Sequence, residues 1–407
     1  MTVRATVAEA LARLDAAAAL GAVVARDDAA ALSQADALDG LPEDARRLPL
    51  FGRAITVKDW IDVAGLPCEG ESAERTGRVP SRDATAVARL RAAGAVVVAK
   101  TQPGADHPIH GRCHHPVDPL RTPGASSSGE AALVGGGASQ LGLGSDSGGS
   151  IRLPAAWCGA VGVKPSAGLV PTTGHFPRVG DRVDGRTVIG PLTRSVADAV
   201  TALRVIAGPD GVDAGCMPVP LGDPALVHID GLRVAVFLGD GGWAPAPSTC
   251  AAVERAASLL ADAGALVMAE ALPAHLAESF DITTRYWRRA GHDPSLTGVD
   301  VDLQLRDWDR FAGRMLRASA AFDVVVGPAV ADVAPHHRPL DGEDFVFTLP
   351  WSLAGWAAVS LPAGVDAATG LPLAVQIAAP RWHDHVALAV AAHLEPQVGG
   401  EVRQDRH

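Results

Sequence analysis

Three lysines and two serine clusters are the residues of this 407-residue sequence best suited to chemistry. The basic side chains are almost all arginine, and the lysines are Lys58, Lys100 and Lys164. Arginine stays protonated in proteins, whereas a buried lysine can shed its proton and act as a base. The serines fall in Gly124-Ala125-Ser126-Ser127-Ser128-Gly129 and in Gly144-Ser145-Asp146-Ser147-Gly148-Gly149-Ser150. Glycine-rich turns of this kind let successive backbone N–H groups converge on one developing negative charge, which is how an oxyanion hole is built. Ser150 follows two glycines and is placed for attack, but a serine hydroxyl is a weak nucleophile until a base removes its proton. No Gly-x-Ser-x-Gly elbow frames Ser126 or Ser150. The Ser-x-x-Lys spacing is also absent, because Ile55, Val97 and Val161 occupy the required positions. A lysine supplied from a distant segment is left as the base.

Val57-Lys58-Asp59, the run Ser126-Ser127-Ser128-Gly129-Glu130, and Asp146-x-Gly148-Gly149-Ser150-Ile151-Arg152-x-Pro154 together resemble the amidase-signature family. The spacing of 24 residues from Ser126 to Ser150 matches that family's two catalytic serines. The similarity continues through Cys158 to Pro165, Val170 to His175 and Gly190 to Asp198, and resumes from Phe322 to the last helix. This resemblance implies a catalytic set in which uncharged Lys58 draws a proton through Ser126 from Ser150. It implies an oxyanion hole from the amides of Ser147, Gly148 and Gly149, with Ser127, Asp146 and Arg152 in support. The peptide bond before the first serine, Ala125–Ser126, is cis in the family. The reaction implied is hydrolysis of a carboxamide C–N bond through an acyl-enzyme, giving an acid and ammonia or an amine, with no cofactor and no metal. A glutaminase component of a tRNA-dependent amidotransferase is the alternative within the same resemblance. The chain departs from the family pattern at Ala125, where glycine is commoner, and at His115 before Pro116, where asparagine is usual. The segment between Lys100 and Gly111 is also shortened, which bears on substrate specificity.

These residues need a scaffold, and the sequence alternates Ala-rich helical stretches with Val-rich runs, the profile of an α/β enzyme. Phe51 to Lys58 reads as a strand, Ala84 to Ala93 as a helix closed by Gly94, and Ala95 to Ala99 as a strand ending at Lys100. Thr101 to Gly129 reads as a surface loop, and Glu130 to Gly137 as a small-residue helix behind the serines. Further strands are expected at Leu232 to Leu238, Leu266 to Met268, Asp323 to Val326 and Leu373 to Ala378. A helix capped by Ser248 should close at Gly264, and a last helix should span Asp384 to His393. With no repeat or composition break one domain is expected, and the resemblance implies a single large α/β/α domain over 1–395, a mixed twisted sheet covered by helices on both faces. A polar tail, 396–407, is expected to be disordered.

The remaining composition narrows the function. A net charge of −11 without a basic cluster argues against nucleic acid as partner. No apolar run approaches the roughly 20 residues of a membrane span. Met1 to Ala30 reads as an Ala-rich helix broken by Asp15, Arg26, Asp27 and Asp28 rather than as a signal peptide, so cytoplasmic residence is expected. A small-molecule amide is the expected partner, and a homodimer stays open. Cys68, Cys113, Cys158, Cys216 and Cys250 are scattered and read as reduced thiols. His107, His110, Cys113, His114 and His115 crowd one loop and offer a rival reading as zinc ligands. Adjacent His114 and His115 cannot easily share one metal. Trp60, Trp157, Phe176 and Trp287 are candidates to line an apolar pocket, or to be core.

Overall fold

A computed structural model describes residues 2–177, 185–240, 242–268, 275–290 and 293–398. The strands, in chain order, are β1 (Val23–Ala25), β2 (Ala54–Lys58), β3 (Val96–Thr101), β4 (Asp106–His107), β5 (Gly111–Arg112), β6 (Leu141–Asp146) and β7 (Val161–Lys164). They continue as β8 (Val188–Thr193), β9 (Arg233–Val236), β10 (Leu266–Met268), β11 (Val324–Pro328), β12 (Ala357–Val365) and β13 (Pro372–Ala379). Among the described residues eleven of them form one sheet, ordered β1-β3-β2-β6-β8-β7-β12-β13-β11-β9-β10. The sheet is mixed: β3, β2 and β6 run parallel, as do β11, β9 and β10, while β6-β8-β7-β12-β13-β11 is antiparallel throughout.

Helices cover both faces, and the period-two alternation of the strands is the reason. Ile55, Val57, Val97, Val324, Val326, Val375 and Ile377 point into one core, shared with the helices α3 (Thr85–Ala92), α6 (Val196–Ile206), α7 (Pro247–Asp262) and α11 (Asp384–Val398). Their neighbours Val96, Val98, Val325 and Ala378 point the other way. There they meet α1 (Val3–Ala16), α2 (Asp28–Asp39) and α4 (Ser128–Gly135) at one end, and α8 (Leu276–Ala290), α9 (Gly298–Ala318) and α10 (Leu349–Leu353) at the other. Between these groups lies α5 (Arg152–Cys158), packed on α4. Among the described residues no helix is long and apolar enough to cross a membrane.

Several boundaries differ from the sequence expectation for identifiable reasons. The helix expected from Ser248 starts at Pro247 with Ala246 at its cap, because proline's fixed φ suits a first helical turn and its missing N–H costs nothing there. The last helix runs to Val398, beyond the expected His393, with Pro396 inside it. Residues 399–407 of the expected tail lie outside the described residues. The segment from Thr101 to Gly129 is less of a surface loop than expected. It contains the β4–β5 hairpin, and Gln102, His107, His115 and Thr122 within it are buried. Gln102 Nε2 donates to the Gly111 carbonyl at 2.9 Å, so the loop satisfies buried polar groups internally. Gly144 to Asp146, expected as part of a turn, belongs to strand β6, and the turn begins only at Ser147.

Alternation also fixes where the chemistry sits. With Ile55 and Val57 committed to the core, Thr56 and Lys58 point to the α4 side of β2. Thr56 Oγ1 and Thr101 Oγ1 both donate to the Glu130 carboxylate on α4, at 2.5 and 2.7 Å, clamping the helix that follows the first serine cluster to β2 and β3. Burial pushes the Glu130 carboxyl up to about 7, against these two hydrogen bonds. Gly142 on β6 leaves the space this carboxylate fills, and a Cβ there would collide with Glu130 Oε2. Gly142→Ala is therefore expected to lower stability by about 1–3 kcal/mol through overpacking, read as a fall in urea midpoint with unchanged m.

Candidate active site

The second serine cluster begins on the last residues of β6 and continues past its end, and Lys58 ends β2, its parallel neighbour, with Thr56 opposite Gly142 and Val57 opposite Leu143. Both therefore emerge at the same carboxyl edge of the sheet, where open α/β sheets present ligands. The first cluster enters from the start of α4. Lys58 is fully buried, and its Nζ donates to Ser126 Oγ at 2.7 Å and to Ser145 Oγ at 2.9 Å. It lies 4.0 Å from the ring centroid of Trp60. Burial lowers its pKa well below the ordinary lysine value, and the charges of Glu71, Asp146 and Glu130 only partly oppose this. Withdrawal from water thus favours the neutral form of this amine.

Ser126, Ser145, Ser147, Gly148 and Ser150 line one cavity of about 710 Å³, and Lys58 lies behind the serines rather than on its wall. The same cavity is walled by Trp60, His175, Tyr286, Trp287 and Phe345. Of the four aromatic residues singled out from sequence, Trp60 and Trp287 reach it. Trp157 is core, its Nε1 donating to the Asp332 carbonyl at 3.0 Å, and the Phe176 ring stacks under Arg75 instead.

The turn between β6 and Ser150 is held from three sides. Asp146 Oδ1 accepts the Gly149 N–H at 2.7 Å, and Oδ2 accepts the Ile151 N–H at 3.1 Å. Arg152 grips the same carboxylate with Nε and Nη2, both at 3.0 Å, and reaches the Thr348 carbonyl, Gln376 Oε1 and Ser352 Oγ at 2.9, 2.8 and 2.7 Å. Burial alone would raise the Asp146 carboxyl, but the charge and hydrogen bonds of Arg152 hold it down to about 2. Ser127 Oγ donates to the Ser145 carbonyl at 3.2 Å, joining the two clusters. Asp146, Arg152 and Ser127 thus all grip the loop without facing the cavity.

One expected oxyanion donor is corrected by this geometry. The Gly149 N–H is spent on Asp146, and Gly149 does not line the cavity, whereas Ser147 and Gly148 do. The cause is visible in the peptide planes, where C=O and N–H point in opposite directions. Thr348 Oγ1 donates to the Gly148 carbonyl at 2.5 Å, which sends the Gly149 amide toward Asp146. Arg186 Nε donates to the Ser147 carbonyl at 2.8 Å, which turns the Gly148 N–H to the opposite side. The Ala125–Ser126 bond is a second correction. Among the described residues the cis peptide is Phe176–Pro177, and the bond before Ser126 is trans, the form favoured by roughly 2.5–4 kcal/mol when no proline follows.

The other lysines are occupied elsewhere. Lys100 Nζ pairs with Asp59 Oδ1 at 3.0 Å, and Lys164 Nζ donates to the Trp356 carbonyl at 2.6 Å. The histidine loop is built for turns. His107 Nδ1 accepts the Ile109 and His110 N–H groups at 3.1 and 3.2 Å, and His115 Nδ1 accepts those of Val117 and Asp118 at 3.2 and 3.3 Å. Each of these rings must then carry its proton on Nε2, and that of His115 faces the Trp157 carbonyl at 2.8 Å, leaving no lone pair for a metal. Among the described residues no three His, Cys, Asp or Glu side chains group as ligands. All five cysteines are free thiols.

Sequence reasoning missed Ser145, Arg186, Thr348 and Glu71. Ser145 alone carried a signal, since it lies on β6 beside the strand that ends in Lys58.

Comparisons with known proteins find relatives over most of the chain. The family model described as Amidase matches residues 5–317 and 299–388. A glutamyl-tRNA(Gln) amidotransferase subunit of Oleidesulfovibrio alaskensis is 32% identical, over 91% of this chain and 88% of the relative. The solved structure of 6-aminohexanoate cyclic dimer hydrolase complexed with substrate superposes with a TM-score of 0.84 at 25% identity, covering 98% of this chain and 94% of the other. That of a glutamyl-tRNA(Gln) amidotransferase subunit from Thermotoga maritima gives 0.76 at 26% identity, covering 86% and 84%.

Proposed function

The chain belongs to the amidase-signature family, and from that premise we propose that it hydrolyses the C–N bond of a linear carboxamide with Ser150 as nucleophile, Ser126 as proton bridge and Lys58 as base. The observation that carries this reading is the Lys58 Nζ to Ser126 Oγ contact of 2.7 Å, made by a fully buried amine behind the cavity that Ser150 also lines.

The steps follow from proton positions. Ser126 passes its proton to neutral Lys58 and takes the one on Ser150, whose oxygen attacks the amide carbonyl carbon. The carbonyl oxygen becomes an oxyanion, and the amides of Ser147 and Gly148 are the donors beside it. Collapse breaks the C–N bond as the proton returns from Lys58 through Ser126 to the departing nitrogen. Water then gives its proton to the same relay, attacks the acyl-Ser150 ester and releases the acid. Ser145 holds Lys58 in line from its other side.

Arg186 is proposed as a positioning residue for the oxyanion donors. Its guanidinium lies 4.5 Å over the Tyr286 ring while its Nε holds the Ser147 carbonyl. Arg186→Gln is expected to lower kcat about 10- to 100-fold with a smaller change in KM, because the misaimed amide matters most in the transition state. Arg186→Lys, which keeps a donor, should recover much of the loss. Equal kcat in all three proteins would remove Arg186 from this role.

The likeness to an amidotransferase component supports glutaminase activity as a second reading. Glutamine's carboxylate would need a cation in the cavity, and the Arg338 that lines it already holds both oxygens of Asp344, at 2.8 and 2.5 Å. A fluorophosphonate probe, followed by mass spectrometry, tests the site: the label is expected on Ser150, and a label elsewhere overturns the assignment. Ammonia release from glutamine, set against an amide panel, separates the two readings.

A further inference from the structure

We propose that the substrate is an amide carrying a second, positively charged amine, and that Glu71 is the specificity residue that anchors it. This deepens the amide-hydrolase reading and rests on it.

Glu71 lies on the wall of the cavity that Ser126 and Ser150 share, at its exposed rim. Its backbone is left-handed, with φ of 62°, a conformation that a side chain of this size adopts at a conformational cost. Strain of this kind persists where the surroundings over-determine it, and it clusters at ligand sites. The surroundings here are rigid. The N–H groups of Glu69 and Gly70 donate to Asp59 Oδ2 at 2.9 and 2.8 Å, and the other oxygen of Asp59 holds Lys100 at 3.0 Å. The carboxylate itself lies over Gly104, another cavity residue, where a Cβ would come within 2.6 Å of Glu71 Oε1. A glycine opposite a strained glutamate makes room for the carboxylate in the wall.

The other charged groups of the cavity wall are already satisfied. Asp106 accepts from Arg112 Nε at 2.7 Å, Asp341 caps the Glu343 N–H at 2.8 Å, and Arg338 is matched by Asp344. Among the described residues Glu71 accepts no hydrogen bond, and the charge it feels most is that of Lys58. Lys58 must be neutral to work, so it leaves Glu71 without a counter-charge in the resting enzyme. Although the residue is exposed at the rim, its carboxyl is partly withdrawn from solvent against the wall, which pushes it up to about 7. A substrate ammonium would supply the missing charge. It would also disfavour a proton on Lys58, whose charged form the Glu71 carboxylate otherwise supports. Substrate charge and base activation are coupled through this one carboxylate.

The test compares ω-amino amides of increasing length with alkyl amides of matching length, at a pH where the amine is protonated. For the best-fitting length the wild type is expected to favour the amino member by about tenfold or more in kcat/KM, the scale of a charge-assisted hydrogen bond. Glu71→Gln should bring the ratio near unity, and Glu71→Lys should shift preference to amides bearing a carboxylate. Glu71→Gly suits the left-handed backbone, so it guards against misfolding, and it should lose the preference as the glutamine variant does. No preference in the wild type, or one that survives Glu71→Gln, overturns the proposal. Fluorophosphonate labelling of Ser150 is scored in every variant. A wild type that labels but shows no amine preference sinks only this inference, whereas one that does not label at Ser150 sinks the catalytic reading beneath it.

Discussion

Ser150→Ala is expected to lower amide turnover by about 10⁴- to 10⁶-fold, the range seen when a serine hydrolase loses a nucleophile that acts as one unit with its base. The residue is half-buried on the cavity surface, and its neighbours are fixed by other bonds: Asp146 holds the amides of Gly149 and Ile151, and Arg152 holds Asp146. Removing one hydroxyl therefore changes no packing. The urea midpoint should match that of the wild type, and binding of a non-hydrolysed amide analogue should persist. Some acceleration over water should also remain, because the Ser147 and Gly148 amides and the cavity still act on the substrate. Turnover within tenfold of wild type would mean that another group attacks the carbonyl.

Lys58 is expected to give the second largest effect, about 10³- to 10⁴-fold in kcat/KM for Lys58→Met. Lys58→Arg should be as inactive, because arginine keeps its proton and cannot serve as a base whatever its reach. The pH dependence follows in sign. The active form is the neutral amine, so wild-type kcat/KM rises with pH through the lowered Lys58 pKa and levels off well before the ordinary lysine range near 10.5. Stability has the same sign. In that interval the unfolded chain binds a proton that the folded chain does not, so folding stability gains with rising pH. That gain should be missing from Lys58→Met, and urea titrations of the two proteins across pH read it directly. A flat activity profile, or an active arginine variant, would remove Lys58 from the role of base.

Much of this site is readable from sequence because its parts are local. Lys58 sits in a short strand whose alternate residues are plainly apolar, and Ser126 and Ser150 each sit in a glycine-rich run with few other uses. Asp146 ends β6 and Arg152 begins α5 only six residues on, so the ion pair that spans the turn between them is a local one. What sequence does not reveal comes from far along the chain. Thr348 reaches the Gly148 carbonyl from 200 residues away, and that one bond decides that the Gly149 amide faces Asp146 rather than the cavity. No spacing rule carries such a contact.

The fold shows the same division. Val96 to Thr101 and Pro372 to Ala379 are buried runs that read as strands. β12 escapes notice because Pro362 and Gly364 interrupt its apolar run, although all but its last residue is buried. The long amphipathic helices α8 and α9 are equally hidden. Their many charged residues pair along and between them, as Arg285 does with Asp281 and Asp307 at 2.6 and 2.9 Å, while Phe311 and Met315 fill the core beneath.

The three lysines leave this protein with an unusual exterior. All are fully buried, so the folded surface offers no side-chain amine to an acylating reagent, a cross-linker or an aldehyde. Solubility and surface ion pairs rest on arginine and the carboxylates alone. Amine-directed labelling of the native protein should therefore stop at the α-amino group, and each further acyl mark will record an opening of the fold.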